Sequence, residues 1–69
     1  RMEWEYKGIR FEIRTETLGP FVLASACAPH IGRFVRVRPF SALGRSEEEA
    51  LEMLKQQVEF EYRKLPTAS

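Results

Sequence analysis

The chain has 69 residues and a net formal charge of +1, a length that allows one domain at most. One cysteine excludes an internal disulfide, and one cysteine with one histidine cannot alone complete a four-ligand zinc site. Without these covalent or metal cross-links a chain this short has a small core. Self-association is one remaining route to stability.

The sequence contains neither a signal-peptide pattern nor a long apolar run, and its lone cysteine fits a reducing compartment. We therefore expect a cytoplasmic protein that does not enter a membrane. Arg1 precedes Met2, which suggests that Met2 is the native start and Arg1 an added residue.

The first strand shows a change of hydrophobic parity. Trp4 and Tyr6 alternate with glutamates, whereas the apolar positions after Lys7-Gly8 are odd-numbered: Ile9, Phe11 and Ile13. One regular strand with one buried face cannot do this. The pattern predicts a strand from about Trp4 to Glu16 with a bulge or sharp bend at Gly8.

A turn at 17–20, which contains Gly19-Pro20, separates this strand from a second one at Phe21 to Cys27. The second strand is apolar on both parities apart from Ser25, which predicts a central strand that is covered on both sides.

The third predicted strand runs from Arg33 to about Ser41, with Val35 and Val37 facing the helix. Pro39 lacks a backbone donor, so this end should lie at a sheet edge. Residues 42–45 are then expected to connect the strand to the helix.

The last third of the chain predicts one amphipathic helix, from Ser46 to about Leu65. Its apolar residues fall within an arc of about 120°: Ala50, Leu51, Leu54, Val58, Tyr62 and Leu65. Ser46 and Glu49 form a capping-box pattern, and Pro66 ends the helix. Glu61 falls inside the arc, so we expect it at the margin or beside a partner.

These elements predict a single α+β domain over residues 1–69, in which a three-stranded antiparallel meander packs on the C-terminal helix. The segments Tyr6 to Ile13 and Gly44 to Leu51 resemble small bacterial βββα domains of uncharacterised function. They are also similar to the N-terminal domain of HicB-type antitoxins, in which a Gly-x-[Ser/Thr]-x-Glu-Glu-Ala-Leu run opens the helix. That resemblance implies binding to a small RNA-cleaving toxin.

The sheet face opposite the helix is one candidate binding surface. If the apolar strand positions face the helix, the other face carries basic and aromatic side chains, namely Arg10, Arg14, Phe34, Arg36, Arg38 and Phe40. Such a mixture could bind single-stranded nucleic acid, usually RNA, because cations hold phosphates while rings stack on bases. The alternatives are a solvated face or a dimer surface. A double-stranded-RNA-binding domain is disfavoured, because Glu47, Glu48 and Glu49 would repel phosphates at the helix start.

A second candidate surface is the helix ridge, which we define as Met53, Gln57 and Phe60. These residues project outside the main apolar stripe and could meet a protein partner or a second copy. The alternative is that the sheet, through Trp4, covers them.

Catalysis is not expected. Cys27 and His30 are three residues apart, but no third group is evident to orient the histidine, and a cysteine on a buried strand is usually inert. The sequence thus predicts a non-enzymatic interaction module without metal or cofactor, which binds a protein or itself. Single-stranded nucleic-acid binding and HicB-like toxin neutralisation are the alternatives.

Overall fold

A computed structural model describes residues 2–28 and 39–64. They form an antiparallel sheet with strand order β1-β2-β3-β4 and one C-terminal helix, which packs mainly on β3 and β4. The α+β class is confirmed, but the sheet has four strands rather than three. The elements are β1 (Met2–Tyr6), β2 (Ile9–Leu18), β3 (Phe21–Cys27), β4 (Phe40–Gly44) and α1 (Glu47–Tyr62).

The predicted first strand is a β-hairpin, so the prediction of one irregular strand was wrong. Lys7 and Gly8 form its two-residue turn with positive φ angles of 51° and 83°, as a type I′ turn requires. Tyr6 therefore pairs with Ile9, and Trp4 with Phe11. Paired residues share one face of the sheet, which explains why the apolar parity changes from even to odd.

The second strand was predicted with correct bounds, and β3 lies between β2 and β4. Gly19 has the expected positive φ of 61° in the turn before it. The prediction that both faces are covered was wrong. Ala24 and Ala26 are fully buried beneath the helix, whereas on the opposite face Phe21 is 39% exposed and Cys27 is exposed.

The predicted third strand begins in residues 29–38, which lie outside the described residues, as do Val35 and Val37. The described strand, β4, starts at Phe40 and extends to Gly44, where we had predicted a connection. Its inward residues after Phe40 are the small Ala42 and Gly44, which give little hydrophobic signal. Within residues 2–28 and 39–64, β4 pairs only with β3 and is therefore an edge strand of the described sheet, in agreement with the edge position predicted near Pro39.

The core lies between the helix and the inner sheet face. Phe11, Ile13, Leu54 and Val58 are its largest fully buried side chains. Small residues on β3 and β4 let the helix approach the sheet closely. The predicted apolar stripe of the helix is confirmed from Ala50 to Tyr62, with Leu51 half-buried. The helix ends at Tyr62, before the predicted end at Leu65, which is outside the described residues.

Candidate interaction surfaces

The outer sheet face carries mixed charge in its described strands. Arg10 lies opposite Glu5, and Arg14 lies opposite Ser25. By strand alternation the same face holds four glutamates and only these two arginines; the glutamates are Glu3, Glu5, Glu12 and Glu16. The described part of this face is therefore acidic rather than basic.

Of the three described residues among the six predicted for this basic face, Arg10 and Arg14 lie on it. Phe34, Arg36 and Arg38 lie outside the described residues. Phe40 lies on the opposite, helix-facing side, where its ring meets those of Phe11 and Tyr62 at centroid distances of 6.4 and 5.8 Å. Its predicted orientation was wrong because β4 continues to Gly44 and places Phe40 across from Ala26 on the inner face.

An apolar patch at one end of the outer face was not predicted. It consists of two cross-strand pairs, Leu18 with Phe21 and Leu23 with Leu43. Leu18, Phe21 and Leu43 are 44%, 39% and 46% exposed. The signal was present in the apolar odd positions of the second strand, which we had assigned to a covered face.

The helix ridge is exposed. Met53 is 41% and Phe60 69% exposed, and Gln57 is exposed between them. Trp4 does not cover the ridge: it stacks on Tyr6 and Phe11 and lies 5.5 Å from the Lys55 Nζ, on the other flank of α1. The described sheet therefore leaves both large apolar side chains of the ridge available.

A cleft of about 410 Å³ separates the ridge from the start of β4. Pro39, Phe40 and Ser41 form one wall, and Gln57, Phe60 and Glu61 form the other. Glu61 is exposed here, at the margin of the apolar stripe. The Arg63 guanidinium lies 4.2 Å from the Phe60 ring centroid and leaves most of that side chain exposed. The cleft and the Phe60 end of the ridge thus lie beside β4, which is an edge strand of the described sheet.

The residues considered for catalysis are not brought together in the described structure. Cys27 is exposed, contrary to the buried position expected, and His30 lies outside the described residues. In the part of the chain that the structure describes, no three His, Cys, Asp or Glu side chains are grouped to hold a metal ion. No helix in that part is long and apolar enough to cross a membrane.

In residues 2–28 and 39–64 the fold and these surfaces define a small α+β domain with a four-stranded meander and a single helix. Compared with models of protein families, with curated proteins and with solved structures, the chain gives no significant match.

Proposed function

We propose that this chain is a small, non-enzymatic protein-interaction module that binds a second copy of itself. The observation that carries the proposal is the exposure of Met53 and Phe60 on one flank of α1, with Phe60 beside β4, the edge strand of the described sheet. Large apolar side chains exposed on one flank of a domain are characteristic of interaction surfaces.

The small size of the described core supports self-association. In the described residues only Phe11, Ile13, Leu54 and Val58 are large side chains buried almost completely. Burying an apolar side chain such as Phe60 against a partner gains about 1.5 to 3 kcal/mol. A few such side chains are a large addition to the marginal stability of a small domain.

Protein binding is favoured over nucleic-acid binding by the charge of the described outer face, which holds four glutamates against two arginines. A toxin of the kind that HicB-type antitoxins bind would be a different occupant of the same apolar surface.

Sedimentation equilibrium over a dilution series from micromolar to millimolar protein tests the proposal. We expect the mass to rise from 8.1 kDa towards twice that value. A mass of 8.1 kDa at every concentration would contradict self-association.

A further inference from the structure

We propose that the edge of β4 and the helix ridge together form a two-fold symmetric interface with a second copy of this chain. In this interface β4 pairs with β4 of the partner in antiparallel orientation, and α1 lies beside the partner's α1. The inference rests on the proposed function, because it assigns the surface through which self-association occurs.

The edge of β4 is suited to strand pairing. In a hairpin with a two-residue turn, the two residues that flank the turn exchange both of their backbone hydrogen bonds. Here these residues are Leu18 and Phe21. The direction of the backbone N–H and C=O groups alternates along each strand. In the register of β3 with β4, those of Ala42 therefore point towards β3, and those of Ser41 and Leu43 point away from the sheet. Edge strands are commonly protected by charged side chains. None occurs between Phe40 and Gly44.

One two-fold axis fits both the strand and the helix. On β4 the axis passes Ala42, so that Ser41 faces the partner's Leu43. The helix runs alongside β4 in the opposite sense, since Gly44 approaches Ala50 and Phe40 contacts Tyr62. The helical position level with Ala42 is therefore midway between Ala50 and Tyr62, at about residue 56.

The ridge is centred on the same point. Met53 and Phe60 are equidistant from the midpoint between Gln56 and Gln57, so an antiparallel helix pair sets Met53 against the partner's Phe60. Glu49, in the first turn of α1, and Lys64, in the turn just after α1, are also equidistant from this midpoint. Each would face the opposite charge on the other copy.

The spacing of the two helices also fits. Adjacent strands lie about 4.8 Å apart, and α1 packs over β3 and β4, so each helix axis lies about 5 Å from the two-fold axis. The two helices are then about 10 Å apart, at the upper end of the usual range for packed helices. At this distance the unbranched side chain of the partner's Met53 can enter the cleft beside Phe60.

Disulfide trapping tests the register. In a Cys27→Ser background, Ala42→Cys places two thiols at the two-fold axis, where the Cα atoms of a non-hydrogen-bonded pair are about 4.5 Å apart. Leu43→Cys is the matched control, because its Cα atoms would be about 8 Å apart, beyond disulfide reach. We expect mild oxidation with copper phenanthroline to cross-link the first variant and not the second.

Sedimentation of point variants tests both parts of the proposed interface, the helix ridge and the edge of β4. Phe60→Lys and Ser41→Pro should raise the dimer dissociation constant about tenfold or more, since one puts a charge in the contact and the other removes an outward donor. Thr17→Lys adds the same charge at an exposed position on β2, two strands away from β4, and should leave the constant unchanged. Circular dichroism verifies that each variant folds.

The outcomes separate this inference from the proposed function. A dimer that is dissociated by Phe21→Lys but not by Phe60→Lys would place the contact on the outer face and overturn the inference, while self-association would stand. Equal cross-linking of the Ala42→Cys and Leu43→Cys variants would also overturn the register. A wild-type chain that is monomeric at every concentration would overturn both.

Discussion

The backbone of Gly44, at the end of β4, packs directly against the backbone of Ala50 in α1. A Cβ atom built on Gly44 would lie 2.6 Å from the Ala50 N and 2.9 Å from its Cα. Both contacts are with main-chain atoms, which cannot move aside as the end of a flexible side chain can. Because position 44 has no side chain, the first turn of α1 can pack directly against the end of β4.

Gly44→Ala should destabilise the fold by about 1 to 3 kcal/mol, because the added methyl group forces α1 away from β4. Urea unfolding monitored by circular dichroism measures the change. Ser41→Ala, on the exposed side of the same strand, is the control and should change stability by less than about 0.5 kcal/mol. Equal stability of the Gly44→Ala variant and the wild type would contradict this close packing.

Leu54→Ala should be among the most damaging substitutions, because Leu54 is fully buried between the helix and the sheet. The expected loss is about 2 to 5 kcal/mol, from lost burial and the cavity left behind. The midpoint of urea unfolding reports it, with exposed Gln56→Ala as the reference. An unchanged midpoint for Leu54→Ala would show that the helix does not dock as described.

Ser46 starts the helix through its side chain. Its Oγ accepts a hydrogen bond of 3.1 Å from the Glu49 backbone N–H, and the Glu49 carboxylate accepts one of 2.7 Å from the Arg45 N–H. Ser46→Ala should cost about 1 kcal/mol of unfolding free energy. Ser46→Thr keeps the hydroxyl and should retain most of it, so equal losses in both variants would argue against the cap.

The helix could be predicted because its signals are local. The capping residue and the apolar periodicity from Ala50 to Tyr62 are properties of consecutive residues. The first hairpin was also encoded, since the parity change across Lys7-Gly8 is what a two-residue turn produces. A bulge in one strand also changes the parity, and Lys7 gives little turn signal, because two-residue turns with positive φ usually contain Asn, Asp or Gly.

The faces of the sheet could not be assigned as reliably. The inward alternation of Phe40, Ala42 and Gly44 is weak because two of the three side chains are small or absent. The orientation of Phe40 therefore depended on pairing with β3, which is a long-range contact. The exposure of Met53 and Phe60 likewise depends on helix placement, since α1 lies over β3 and β4 and leaves its outer flank open.

The strand register predicts that the described part of the outer face does not bind single-stranded nucleic acid. Arg10 lies opposite Glu5, and the pair of Glu3 and Glu12 adds two carboxylates nearby, so on the described strands phosphates would meet more negative than positive charge. We expect no saturable binding of a labelled single-stranded oligonucleotide at low salt, measured by fluorescence anisotropy. The variant carrying both Arg10→Ala and Arg14→Ala should behave like the wild type. Wild-type binding that weakens with salt and is lost in that variant would contradict the prediction and identify the two arginines as phosphate contacts.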